Sequence, residues 1–288
     1  MTLLDIALSI CSGQGEDAPG WSFDPWVLSP LALCALLYVR GTMRLWRGAG
    51  LGRGIRLWQA VAYGIGWLVL AAALLSPLHW TFEHLFALHM AEHELVMAIA
   101  APLIAVSYPL CAFAWAMPER AKPHLSGLMS SKAFRTGWQF ITRPHNATIL
   151  HGLAIWTWHL PRAFDAAILN VALHRLQHVS FLASALIFWW SLTRRANPGT
   201  AAGHLFITII HTSVLGALLA LAPRVLYPLQ TSFAPAWGLT PLEDQELAGL
   251  IMWVPAGTVY AGAALAFVAL WITRCGESVG HGRALARA

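Results

Sequence analysis

The chain has 288 residues, of which 58% are hydrophobic and only 11% charged, with a formal net charge of +5 and a mean hydropathy of +0.60. A water-soluble domain carries about 25% charged residues, so this composition excludes a soluble globule and indicates an integral membrane protein. The basic residues sit in loops between apolar runs, where they set membrane orientation and do not form a nucleic-acid surface.

In chain order, residues 1–23 are polar and acidic (Asp5, Glu16, Asp17) and read as an extramembrane arm. No basic segment precedes its short apolar run, so a cleaved signal peptide is not expected. Seven apolar runs follow, near 26–46, 57–77, 85–109, 146–161, 173–193, 204–222 and 248–272. A span needs about 20 such residues. The fourth run is short and ends in the polar Thr157 and His159. Pro102 and Pro109 in the third run and Pro255 in the seventh predict kinks with freed carbonyls. The expected fold is all-α: a bundle of seven transmembrane helices over 24–274, with a cytoplasmic tail at 275–288. The cysteines Cys11, Cys34, Cys111 and Cys275 form no Cys-x-x-Cys pair, which excludes a disulfide framework and the usual thiolate metal motifs.

Loop charge alternates along the chain. Arg40, Arg44, Arg47, Arg53 and Arg56 lie between the first two runs, and Arg120, Lys122, Lys132, Arg135 and Arg143 between the third and fourth. Arg194 and Arg195 follow the fifth. The other loops hold Asp24, Glu83, Asp165, Glu243, Asp244 and Glu246. Lys and Arg mark the cytoplasmic side, so the N-terminus is expected outside and the C-terminus in the cytoplasm. The protein is then a multi-pass protein of a bacterial inner membrane, with lipid around it.

This orientation gathers histidines near the outer, periplasmic surface. His89 and His93 are four residues apart at the start of the third run, and His174 and His178 repeat that spacing at the start of the fifth. Residues four apart share one helix face, and an ionisable residue inside a span marks function. Imidazole suits copper, zinc, iron and nickel, so the two pairs are expected to face each other and hold a metal. His159 falls at the same level at the outer end of the fourth run. His79 and His84 lie in or beside an outer loop, and His151 and His211 lie deeper. The segment His89-Met-Ala-Glu-His93 differs from the zinc-protease pattern, whose glutamate follows the first histidine directly. Met90 offers a thioether, which favours Cu(I), but it points about 100° away from His89 round the helix. Glu92 can orient ligands or balance charge. Near the seventh run, Thr240 and Glu243 have capping-box spacing. Asp244 and Gln245 then sit at the mouth of the span, either supporting the ligands or simply favouring the helix dipole.

Three segments together resemble the polytopic CtaG-type assembly factors of caa-type cytochrome c oxidase: LFALHMAEHELVMAIAAPL at 85–103, WHLPRAFDAAILNVALHRLQHVSFLASALIFWW at 158–190 and TPLEDQELAGLIMWVP at 240–255. The resemblance implies a seven-span protein that helps mature the oxidase, with cytochrome c oxidase subunits as partners and a role in copper handling. The motif positions carried over are His89, Met90, His93, His159, Asp165, His174, His178, Asp244 and Gln245. The expected function is therefore capture of copper by outer histidines and its delivery to an oxidase subunit. A haem clamped between histidines, or a metal-dependent membrane enzyme using Asp165 or Glu92 as acid or base, are the other classes. Such enzymes gather more carboxylates, so catalysis is not expected.

Overall fold

The computed structural model describes residues 20–285, with 276–285 as backbone alone. The expected arm at 1–23 thus lies largely outside the described residues, whereas the expected tail at 275–288 is described to 285, with a helical backbone. Every regular element among the described residues is helical. The helices are α1 (Pro25–Ala49), α2 (Leu57–Leu75), α3 (Pro77–His84), α4 (Phe86–Val106), α5 (Pro109–Ala116), α6 (Lys122–Ser130) and α7 (Lys132–Ile141). There follow α8 (Pro144–Trp158), α9 (Pro161–Leu169), α10 (Val171–Arg194), α11 (Pro198–Ala220), a short 3-10 segment (Gln230–Trp237) and α12 (Pro241–Leu285).

Proline sets most of these boundaries. Pro25, Pro77, Pro109, Pro144, Pro161, Pro198 and Pro241 each open a helix, where the missing N–H has no helical partner to lose. The residue before a proline is driven out of helical geometry. The second apolar run therefore stops at Leu75, and the third stops at Val106, ahead of Tyr108 with its left-handed φ of 57°. Pro102 sits just after Leu95–Ala100, where α4 widens into π-helical turns. It cannot donate to the carbonyl one turn back, and a looser turn accommodates that loss. Pro255, by contrast, lies within the continuous helix α12.

Among the described residues, six helices are long and apolar enough to cross a bilayer: α1, α2, α4, α10, α11 and residues Pro241–Cys275 of α12. The fourth apolar run forms α8, which has 15 residues. At 1.5 Å per residue it extends roughly 22 Å, short of a hydrocarbon core about 30 Å thick. Pro161 opens a new helix and interrupts the run there.

Side chains tie the helix starts to one level. The Arg175 guanidinium donates to Asp24 (Nη2–Oδ2 2.7 Å), linking the starts of α10 and α1. Asp244, at the start of α12, accepts from the first backbone amides of α4. The far ends meet likewise: Arg194 donates to the Val106 carbonyl, and Arg40 and Arg44 donate to that of Ala116. Helices α1, α4, α10 and α12 therefore start at one face, and α4 and α10 end at the other, where α1 meets the end of α5. Helix α4 is the central one, with 61% of its apolar stretch buried against 11–33% for the other five. Around it pack Phe164, Phe181, Phe188, Trp189, Tyr227 and Tyr260.

Helix α1 meets α5 at backbone contact. A Cβ on Gly41 would stand 1.8 Å from the Ala112 oxygen, a clash no rotamer relieves. Gly41→Ala is expected to cost about 3 kcal/mol, the upper end for overpacking. An unchanged thermal midpoint in detergent would contradict this packing.

Candidate metal centre

The first turn of α4 is fixed from outside its own sequence. Leu85 breaks the chain, and the Asp244 carboxylate accepts from the amides of Phe86 (Oδ2, 2.9 Å) and Ala87 (Oδ1, 2.9 Å). One turn on, His89 and His93 lie on one helix face, at 2% and 1% exposure. On α10, Asn170 caps the first turn by accepting from Ala172 and Leu173. His174 and His178 follow directly on the face toward α4.

The two pairs meet. Ring centroids lie 5.6 Å apart for His89–His174, 6.2 Å for His89–His178 and 5.2 Å for His93–His178. His89, His174 and His178 each place a ring nitrogen within 4.8 Å of the other two. His174 and His178 also share a hydrogen bond between their Nε2 atoms at 3.0 Å. Neither ring nitrogen of His89 or His93, nor Nδ1 of His178, has a hydrogen-bond partner among the described residues. Orphaned buried polar atoms are rare and costly, by about 1–3 kcal/mol each. Five in one cluster fit a site built around a ligand, and three converging imidazoles fit a metal such as copper or zinc.

His159 closes the inner side of this group. It ends α8, with its ring 6.2 Å from that of His93. Its Nδ1 donates to the Ile155 carbonyl at 2.7 Å, so the neutral ring turns a lone pair outward at Nε2, 3.4 Å from the Met90 sulfur. Its backbone carbonyl accepts from the Tyr227 hydroxyl. The residues brought together thus include all five histidines expected from the sequence, with His89, His174 and His178 as the closest set and Met90 on the His159 side.

A family model, cytochrome c oxidase caa3 assembly factor (Caa3_CtaG), matches residues 36–274. The chain belongs to the cytochrome c oxidase caa3 assembly factor family. No curated protein matches the chain, and no solved structure does. The region shared with the caa3 assembly factors contains every histidine of the cluster and the residues that position them.

Of those positioning residues, Asp244 holds the turn ahead of His89, as above. Gln245 accepts from the Leu226 amide at 2.6 Å and donates to the Leu219 and Arg224 carbonyls. It thereby ties down the segment bearing Tyr227, and through it His159. Asp165 lies half-buried on α9, with Oδ1 free of any hydrogen bond among the described residues. Its neighbour Phe164 packs on the His89 ring at 5.4 Å.

His79 is the residue that the sequence left aside. Its Nδ1 bonds Glu92 Oε1 at 3.0 Å, its Nε2 lies 3.5 Å from Glu83, and its ring lies parallel to that of His174 at 6.5 Å. Burial opposes a charge on His79, but the carboxylates of Glu92, Glu83 and Asp24 outweigh it and push its pKa up to about 9. That exceeds the ordinary value of about 6.5. The stability this pairing contributes is therefore complete below pH ~6.5 and is lost as pH rises through the raised value. The thermal midpoint should fall across that window, and His79→Gln should flatten the fall; an equal slope in both proteins would refute the pairing.

Two of the other histidines are bonded elsewhere, whereas both ring nitrogens of His211 have no hydrogen-bond partner among the described residues. His84 donates to the Trp80 carbonyl at 2.7 Å and stacks on the Trp80 ring. His151 lies two turns from His159, bonded to Ser184 and Tyr260.

Proposed function

We propose that this caa3 assembly factor binds one copper ion through His89, His174 and His178, with His93 and His159 beside them, and passes it to a cytochrome c oxidase subunit. The observation that carries the proposal is the convergence of three ring nitrogens within 4.8 Å, flanked by orphaned nitrogens on His89 and His93. Copper is favoured over zinc because the Met90 thioether adjoins the cluster, and soft sulfur suits Cu(I). Glu92 is fully buried, bonded through Oε1 to His79 and with Oε2 unpartnered among the described residues. The role is delivery, without catalysis.

We further propose seven crossings, with the histidine face outside the inner membrane. Helices α4 and α10 run in the same direction, so the chain between them must return once. The helix that fits this return is α8, whose end at His159 reaches the cluster. The opposite face carries Arg40, Arg44, Lys122, Arg135 and Arg194, as a cytoplasmic surface does.

The test is elemental analysis and a visible spectrum of the purified protein after growth with copper. About one copper per chain is expected. Zinc at that level without copper would change the cargo, and a Soret band would replace the ion with haem.

A further inference from the structure

The face opposite the histidines bears an open cleft of about 610 Å³ lined by the end of α5 and by α6 and α7. Its walls are of two kinds: Trp115, Leu125 and Met129 are apolar, whereas Lys122 and Arg135 bring cations. The Lys122 ammonium lies 5.3 Å from the Trp115 ring centre and 2.6 Å from Glu119. Glu119 is largely exposed and is the single acid between residues 107 and 149, against Arg120, Lys122, Lys132, Arg135 and Arg143. The whole stretch is thus strongly cationic.

Helix α7 divides sharply by side. Lys132, Arg135 and Gln139 occupy one arc, and Phe134, Phe140 and Ile141 the other. Phe140 is 59% exposed and Leu128 on α6 60%, so much of each apolar group is uncovered among the described residues. Trp138 packs edge-on against Trp190 at 5.2 Å, which fastens α7 to the last turns of α10. The apolar arc therefore lies at the level where the long helices end. A helix with this division lies in the plane of a bilayer surface.

We infer that this cleft binds an acidic phospholipid, with its phosphate between Lys122 and Arg135 and its chains along Trp115, Leu125 and Met129. The occupant is a lipid because the site pairs cations with an apolar wall at bilayer depth, a combination that free phosphate does not use. Cations at a membrane surface attract anionic lipid by about 1 kcal/mol each, roughly fivefold in affinity.

Native mass spectrometry of the delipidated full chain in detergent tests this, with short-chain phosphatidylglycerol, phosphatidylcholine and inorganic phosphate as probes. Phosphatidylglycerol should bind at least tenfold tighter than phosphatidylcholine, and the pair Lys122→Gln, Arg135→Gln should weaken it by roughly 25-fold. Arg53→Gln, on the same face outside the cleft, should leave binding unchanged. Leu125→Ser should weaken phosphatidylglycerol severalfold through the apolar wall alone. Equal binding of the two lipids, full affinity in the double variant, or displacement of the lipid by equimolar phosphate would each overturn the assignment.

Discussion

Replacing His89 or His174 with alanine should strip the purified protein of copper. Each contributes a nitrogen to the closest set, one from α4 and one from α10, so either change leaves two ligands and opens the site on one side. Loss of a mere supporting hydrogen bond at a metal site costs 10–100-fold in affinity, and loss of a ligand should exceed that range. Copper per chain should fall below about a tenth of the wild-type value at limiting metal. His93→Ala and His159→Ala should have smaller effects, because their nitrogens lie outside the closest set. Competition against a chelator of known affinity measures all four. Stoichiometric copper persisting in both His89→Ala and His174→Ala would remove the proposed site.

Asp244→Ala should lower both stability and copper affinity. The carboxylate satisfies two buried amides at the start of α4, each at 2.9 Å. Without it both donors are left orphaned in a site at 0% exposure, and a cost of about 3 kcal/mol is expected. Asp244→Asn keeps one acceptor oxygen and should recover part of that loss. Thermal unfolding in detergent reads the stability. The copper affinity of the same variants should fall as well, since the freed turn carries His89. A variant that melts like wild type would mean that other groups cap α4.

The sequence made within-helix features legible and hid those that cross between helices. Four-residue spacing is a local property, so His89 with His93 and His174 with His178 were readable as same-face pairs. Their meeting was inferred from loop charge, which oriented the two runs alike. The Thr240–Glu243 capping box was equally local, and it forms, with the Glu243 amide donating to Thr240 Oγ1 at 3.2 Å. Asp244 acts on amides 157 and 158 residues away, and no periodicity announces that link. His79 and Glu92 are separated by the break at Leu85, so helical spacing could not pair them. The fourth run reads as short, with the polar Thr157 and His159 at its end, and its helix indeed stops at Trp158, ahead of Pro161.

The widened turn at Leu95–Ala100 settles a conflict between two anchors. Above it, the rotation of α4 is dictated by Asp244. Below it, Gly66 of α2 presses close to the Ala100 oxygen and the Leu103 side chain, so a second surface dictates the angle there. A uniform spiral has a single phase and would have to disappoint one of the two. The extra residue held in the loose turn acts as a slip joint, letting the half that bears His89 and His93 be aimed without disturbing the half that seats the protein in its bundle. Excising one residue from that joint would preserve every imidazole in the chain and still swing His89 and His93 away from their counterparts.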